Sequence, residues 1–370
     1  MTKAKRVLHL STVHPVLDTR IFHKEAQSLA QAGYEVVLVA QGQPKESEGI
    51  RIHGLPTPKN RFSRMFGTTF KALSLAVRER ADIYHFHDPE LIPVGLLLRL
   101  MGKKVIYDVH EDLPRQILSK YWIPSVLRGV VAKAAELMEW VAGRFMNGIV
   151  AATPAIAERF PPHKTVVVQN FPLLSEFPHA GEIPYSERPM QVVYVGGISA
   201  IRGVIEIVKA MEHLPPRLGA RLFLAGRFDP PELESRLQEM PGWHRTVFMG
   251  WLSRKEIRTL LARSRVGLVI LHPTLNYVAG QPVKLFEYMA AGIPVVASNF
   301  PLWREIVEGE QCGLTVDPLN PKEIAKAIQW LLEHPQEAEE MGKRGRKAVL
   351  ERFNWEQEAE KLLAFYRRIV

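Results

Sequence analysis

Two rhythms of apolar and polar positions alternate along this chain. Short, nearly unbroken apolar runs are separated by longer stretches in which apolar residues recur every three or four positions. Lys5–Ser11 predicts a buried strand, and Thr19–Ala32 predicts a helix closed by Gly33. Glu35–Ala40 is apolar on both faces, the pattern of a strand inside a parallel sheet. Ile50–Gly54, Asp82–Phe86, Lys104–Asp108, Gly148–Ala151 and Thr165–Gln169 continue the series, with helical stretches between most of them. Around residue 170 the rhythm lapses, and Pro172, Pro178, Gly181, Pro184 and Pro189 mark a linker over 171–190. It restarts with strands at Gln191–Val195, Arg221–Ala225, Thr246–Met249, Val266–Leu271 and Ile293–Ala297, and a helix at Gly203–His213. From Pro321 onwards the pattern is almost wholly helical.

This alternation predicts an α/β protein with two doubly wound parallel sheets and a cleft between them. The expected divisions are 1–170, the linker 171–190, a second domain over 191–352, and a terminal helix over 353–370 that returns to the first. Length agrees, because 370 residues exceed the roughly 250–300 that one core usually serves.

Composition narrows the setting. With 46% hydrophobic and 24% charged residues the chain reads as globular. It shows no membrane-spanning run and no signal-peptide pattern at its start, and its single cysteine, Cys312, excludes an internal disulfide and a cysteine metal cage. A cytoplasmic address is expected. The net charge of +9 is uneven: residues 1–180 hold 23 Lys/Arg against 16 Asp/Glu, and 51–80 carry seven basic residues against Glu79 alone. Such a surface attracts anions, or is simply a solvated face. Together with the apolar and basic stretch Tyr121–Met146, it suggests peripheral contact with the inner face of the plasma membrane, although packing between domains explains the apolar residues equally well.

Candidate chemistry concentrates at strand ends. In Gln281–Ser298, Pro282 opens a helix, Gly292 ends it, and Lys284 and Glu287 lie three apart on one face near its start. That end favours phosphate, and Glu287 suits ribose hydroxyls; the alternative is an ordinary surface ion pair. Earlier, Asp18 or Thr19 caps a helix start, while Arg20 either points into the cleft or does not. His85, His87, Asp88 and Glu90 end one strand, and Asp108, His110 and Glu111 end another. The histidine pair lacks further ligands at fixed spacing, so a cleft-lining role on the acceptor side is preferred to a metal for His87, Asp88 and Glu90; Arg20 and Glu111 are further candidates for that cleft, Glu111 otherwise capping or pairing locally. The chain has neither an Asp-x-Asp pair nor a Gly-x-x-x-x-Gly-Lys-Ser/Thr loop, and no Gly-x-Gly-x-x-Gly follows the first strand. No obligatory metal, no cofactor and no nucleic-acid partner are expected.

Residues 282–298 resemble the donor motif of glycosyltransferase family 4. Val195–Gly203, Phe223–Arg227, Phe248–Leu252 and Phe353–Glu356 resemble further marks of that family in the same order, so the resemblance spans nearly the whole chain. It implies the GT-B fold, with two Rossmann-like domains, and a retaining transfer of a sugar from a nucleotide diphosphate. It implies Arg202, Lys284, Gly196 and Gly197 for the diphosphate, and Glu287, Leu285, Arg227, Gly250 and Trp251 for the nucleotide and ribose. It places His110 against the donor sugar and suggests a glycan or lipid-linked glycan acceptor, in cell-surface polysaccharide or glycolipid biosynthesis. Two departures stand out: Ala279 replaces the family's earlier glutamate, and Gly197 stands where an arginine is common. A sugar-nucleotide epimerase and a non-catalytic sugar-nucleotide-binding protein remain as alternatives.

Overall fold

A computed structural model describes residues 4–118, 120, 123–177 and 183–369, and they divide into two compact units. The first holds residues up to Asn170 together with the final helix, Trp355–Ile369, and the second holds Phe171–Asn354. The Pro-rich stretch expected as a linker is therefore built largely into the second unit. Phe171 and Phe177 join one of its cores and Tyr185 the other. Pro178 and Gly181 of that stretch, and Tyr121 and Trp122 of the predicted apolar stretch, lie outside the described residues.

The first unit carries strands β1 (Arg6–Pro15), β2 (Glu35–Gln41), β3 (Lys45–Ser47), β4 (Ile50–Leu55), β5 (Ile83–Phe86), β6 (Lys104–Val109), β7 (Gly148–Ala151) and β8 (Thr165–Val167). Their order is β3-β4-β2-β1-β5-β6-β7-β8, parallel except for β3 on the edge. Strand side chains alternate between faces. Leu8, Leu10, Tyr84, Phe86, Tyr107 and Val109 meet one helix layer, through Ala72, Ala76, Leu98 and Ala142. His9, His85 and Asp108 point to the other face, and all three are fully buried. There Ile21–Ala26, wound as wide π-turns, continues into the helix Gln27–Gln31. The final helix is tied to this unit, since Trp355 Nε1 donates to Ser28 Oγ at 2.9 Å and the Tyr366 hydroxyl meets His85 Nδ1 at 2.7 Å.

The second unit carries β9 (Gln191–Val195), β10 (Arg221–Ala225), β11 (Thr246–Gly250), β12 (Val266–Val269), β13 (Val295–Ser298) and β14 (Gly313–Val316). Their order, β11-β10-β9-β12-β13-β14, is wholly parallel and reverses direction of travel between β9 and β12. In the first unit the reversal falls between β1 and β5. Such reversals open a crevice at the carboxyl ends of the strands. Strands β3 and β14 had not been expected; both are short, and β14 lacks a strong apolar run. Among the described residues no helix is long and apolar enough to cross a membrane.

Three strand ends of the second unit are stitched by close backbone contact. The Gly196 amide donates to Ala225 O at 2.9 Å, and the Gly226 amide donates to Gly250 O at 2.8 Å. Gly226 has φ +152°, and a Cβ there would lie 1.9 Å from Gly196 O. Gly226→Ala should therefore destabilise the protein by roughly 2–4 kcal/mol, against about 1 kcal/mol for Gly219→Ala, where φ is also positive but the space is open. Denaturant melts of both variants check this, and equal losses would show that the contact carries no weight.

Candidate active site

In the second unit the chemistry gathers around the turn that follows β9. Val283–Ala290 is a helix because its apolar residues fall on one side, burying Leu285, Phe286, Tyr288 and Met289, and Pro282 precedes its first turn. The same packing carries Lys284 inward, leaving it only 9% exposed. Its Nζ lies 3.6 Å from the centre of the Tyr194 ring and has no hydrogen-bond partner among the described residues. Burial, reinforced by Arg202, holds this ammonium well below the usual lysine range, and Glu287 only partly offsets them. A buried cation without a hydrogen-bond partner is costly, so the position favours an anion.

The glycines make room for that cation and a second one. A side chain begun at Gly196 would lie 3.3 Å from Lys284 Nζ, and one begun at Gly197 would lie 3.0 Å from Arg202 NH1. Tyr194, under the lysine, fixes the turn by donating from its hydroxyl to Gly197 O at 2.8 Å. Tyr288 accepts the Val195 amide at 2.9 Å. Glu287 is half-buried one turn along the helix. Nearby strand ends offer a flat surface: Arg227 lies over the Trp251 ring at 4.7 Å, and Trp251 is 67% exposed beside the left-handed Gly250. Leu285 does not belong with these. It is fully buried in the core, and its amide already donates to Pro282 O at 3.0 Å. Ala279 caps a short helix, Leu275–Val278, just ahead of the site.

In the first unit the strand ends hold a chain of imidazoles and carboxylates. His9 and His85 face each other across β1 and β5. His9 Nδ1 meets His87 Nε2 at 2.9 Å, and His87 Nδ1 meets Asp108 Oδ2 at 3.1 Å. His110 Nε2 reaches the same oxygen at 2.8 Å. Asp108 accepts from both, which places a proton on His87 Nδ1 and on His110 Nε2. The His110 side chain is 18% exposed, against 0% for that of His87. Beside them Asp88 accepts from the Thr12 amide at 2.6 Å and the Ser11 hydroxyl at 2.9 Å. Glu90 accepts from the Thr12 hydroxyl at 2.7 Å and pairs with Arg64 at 2.8 Å.

Arg20 does not offer itself to an acceptor. It is 4% exposed, bound to Asp108 at 3.0 Å and to Val168 O at 2.9 Å, and set against Glu25 at 2.9 Å. Asp18 caps the helix start, accepting from the Arg20 and Ile21 amides at 2.8 and 3.0 Å. His87 and Asp88 are also too buried to meet an acceptor directly, and Glu111 is exposed. Of the expected residues in the cluster His110 and Glu90 are the accessible ones, beside the more exposed His14. Sequence reasoning missed Tyr194, His9 and Glu25. The signal for Tyr194 was its place two residues before Gly196 on the same strand.

Charge in this cluster is settled by burial. Burial holds the His9 and His85 imidazoles well below the usual range, and it brings His87 down to about 4 despite Asp108. Burial opposes ionisation of Asp88, but His14 and the Thr12 and Ser11 donors bring it down to about 2. Burial likewise opposes ionisation of Asp108, and Arg20 and His110 override it. Burial and the neighbouring Asp108 hold Glu25 well above the usual carboxylate range, against the pull of Arg20. Two groups of ligating type lie close enough to share a cation: His9, Glu25, His85 and His87, and His87, Asp108 and His110. The Arg20 guanidinium against Glu25 and Asp108 already supplies the positive charge there.

Comparison with known proteins assigns both units. The model of the family described as Glycosyl transferases group 1 matches residues 180–348, and that of Glycosyltransferase Family 4 matches residues 19–171. The alpha-maltose-1-phosphate synthase of Mycolicibacterium smegmatis is 31% identical over 325 residues, covering 79% of this chain and 80% of that protein. Among solved structures, the sucrose-phosphate synthase of Thermosynechococcus elongatus aligns with a TM-score of 0.79 at 21% identity, over 99% of each chain. HepE of Anabaena, in complex with UDP, aligns with a TM-score of 0.71 at 15% identity, over 99% of this chain and 100% of its own.

The buried histidines give a pH signature. Their folded values lie below the unfolded value of about 6.5, so the unfolded chain takes up protons first as pH falls. Stability should drop from about pH 6.5 towards 4, by roughly 3 kcal/mol for His87 alone. Asp88 adds a further loss between about pH 4 and about 2, because its folded value is depressed. His14, raised by Asp88 against the effect of burial, works in the opposite sense, stabilising at low pH. Urea melts at spaced pH values measure the balance, and flat stability from pH 7 to 4.5 would sink the neutral-histidine assignment.

Proposed function

The chain belongs to the glycosyltransferases of group 1 and family 4, and from that premise we propose that it moves a sugar from a nucleotide diphosphate to an acceptor hydroxyl with retention of configuration. The observation that carries this reading is the Lys284 ammonium, buried without a hydrogen-bond partner above Tyr194 and beside Arg202. A diphosphate supplies the missing negative charge. It also explains why the Gly196–Gly197 turn bears no side chains, since the backbone must come close to the phosphates.

In the proposed reaction the bond from the anomeric carbon to the β-phosphate oxygen breaks, and its electron pair stays on that oxygen. Lys284 and Arg202 neutralise the charge as it builds, which is transition-state stabilisation by preset cations. The acceptor oxygen attacks from the face the diphosphate leaves, and its proton passes to the departing phosphate, so no protein base is required. Glu287 takes the ribose hydroxyls, and the exposed Trp251 beside Arg227 offers a stacking surface for the base. HepE binds UDP, and a UDP-sugar is the first donor to try on that ground. His110, oriented by Asp108, is proposed to meet the sugar. A glycan or lipid-linked glycan acceptor follows from the family alone, and the reaction as written asks for no metal.

Lys284→Met tests the assignment in two directions at once. It should abolish the thermal shift produced by nucleoside diphosphates and lower turnover by on the order of 10²-fold. It should also leave the ligand-free protein as stable or more so. The folded lysine has a lowered pKa, so protonating it costs the folded chain more than the unfolded one and the charge works against folding. Unchanged diphosphate binding in this variant would overturn the proposal. Release of an altered sugar without any acceptor would replace transfer by epimerisation, and donor binding with no turnover on any acceptor would leave a binding protein.

A further inference from the structure

Two helices of the first unit are built inside out. The first runs without a break through Arg61–Ser63, Arg64–Thr68 and Thr69–Glu79. It turns Thr68, Ala72 and Ala76 towards the sheet. Leu73 and Leu75 pack partly against the core, but its aromatic residues face outward: Phe62 and Phe70 are 73% exposed and Phe66 60%, with Met65 at 51%. Positions 62, 66 and 70 recur every four residues and so form one stripe. The Phe62 and Phe66 rings contact each other on the outside, with centroids 4.7 Å apart. The second helix, Ser125–Phe145, repeats the inversion. Ala132, Ala135 and Ala142 are buried, while Val126, Val130, Leu137, Trp140 and Phe145 are 54–83% exposed. Both helices lie in one layer, because Ala72, Ala76 and Ala142 belong to the same core. Between them Leu100, at the end of Ile92–Leu100, is 86% exposed.

Ordinary surface helices do the reverse, and an apolar patch on this scale marks an interaction site. Charge identifies the occupant. Lys59, Lys71, Arg78, Arg80, Lys133 and Arg144 are exposed on or beside these helices. Their acids are mostly spent: Glu79 pairs with His53 and Arg51, and Glu139 is buried against Arg159. Protein interfaces deplete lysine from the apolar centre and confine polar groups to a rim. Aromatic and aliphatic tips interleaved with cations are what a negatively charged bilayer surface accommodates. We infer that this helix layer docks the first unit onto an anionic lipid bilayer, without crossing it.

The position of the stripe gives the docking a consequence for chemistry. Arg64, in the first turns of the aromatic helix, pairs with Glu90, which accepts from Thr12 at the carboxyl end of the sheet. The Phe62 end of the stripe therefore adjoins the cluster that holds Asp88 and His110. Resting on the transferase reading above, a lipid-anchored acceptor in that bilayer would have its polar head delivered beside His110 while its tail stays in the membrane.

Vesicle flotation of the full chain tests the docking. Vesicles with roughly one-third phosphatidylglycerol should bind the protein, neutral phosphatidylcholine vesicles should bind it weakly, and salt should reduce the difference. The triple substitution Phe62→Ser, Phe66→Ser, Phe70→Ser should lower vesicle affinity at least about tenfold. These side chains are exposed, so the variant should keep its thermal melt and its diphosphate-induced shift, which separates this outcome from failure of the donor site. No binding to anionic vesicles, or equal binding by the triple variant, overturns the inference. So does a stable dimer in sedimentation that the same substitutions dissolve, since that result assigns the stripe to a second copy of the chain.

Discussion

A parallel strand can be reached from its neighbour only by a crossover of one hand, and this rule arranges the whole molecule. In the first unit the helical segment after β1 covers one face of the sheet, whereas the helices after β4 and β5 cover the other. In the second unit, Val204–His213 packs on the face that holds Val192 and Tyr194, and Val283–Ala290 packs on the face that holds Val193 and Val269. Where neighbouring strands send their chains to opposite faces, nothing closes the gap at their carboxyl ends. Those gaps, β1 against β5 and β9 against β12, hold nearly every polar side chain singled out above. In the second unit both faces of the sheet are filled with apolar side chains, whereas in the first unit His9, His85 and Asp108 occupy the face beneath Ile21–Ala26.

The two gaps handle charge in opposite ways. In the first unit Arg20 is set between Asp108 and Glu25, His9 is linked through His87 to Asp108, and His110 meets the same carboxylate, although His9 Nε2, His85 Nε2 and both Glu25 oxygens have no hydrogen-bond partner among the described residues. Such a network is costly to break at any one point but holds each member in a single orientation. That suits a group such as His110, which must present one nitrogen in one direction. The second unit leaves its charge unbalanced. Lys284 is carried inward by the apolar face of its own helix, and its nearest compensation is the face of Tyr194 rather than a carboxylate. A cation–π contact returns part of the lost hydration and leaves the lysine free to bind an anion. A carboxylate in that place would stabilise the empty protein and compete with the ligand. On the proposed reading, stability is given up where the anion binds.

Much of this was legible in the sequence because parallel strands announce themselves. Gln191–Val195, Arg221–Ala225 and Gly148–Ala151 were bounded to the residue, since each is an apolar run stopped by a glycine or a polar turn. The short edge strands were invisible, because Lys45–Ser47 is polar and Gly313–Val316 is four residues long. Site residues were harder for a specific reason. A motif gives spacing but not direction, so Leu285 was counted with Lys284 although it lies one position further round the helix and faces the core. Arg20 was left open as a candidate for the cleft, and what decides it, the carboxylate of Asp108, lies 88 residues away. Long-range pairing of this kind leaves no periodic trace. His9 shows the same limit from the other side: one histidine in a strand means little until β5 brings His85 opposite it.

The departure at Gly197 also changes meaning in three dimensions. In the sequence, an arginine common in the family is absent there, which suggests a weakened grip on phosphate. The Arg202 guanidinium, however, comes to within 3.0 Å of the point where a side chain at 197 would begin. An arginine at 197 would have to start in space that Arg202 now occupies, so the two could not share this arrangement. Glycine at 197 lets the arginine of the following turn fold back over the backbone and stand next to Lys284. One guanidinium is missing from the motif, but two cations still converge on one turn. Ala279 is different, because a methyl group cannot supply a carboxylate. The positive half of the site is rebuilt by Arg202, while position 279 offers no acid. In the proposed reaction that asymmetry keeps the grip on the diphosphate and removes one contact to the sugar.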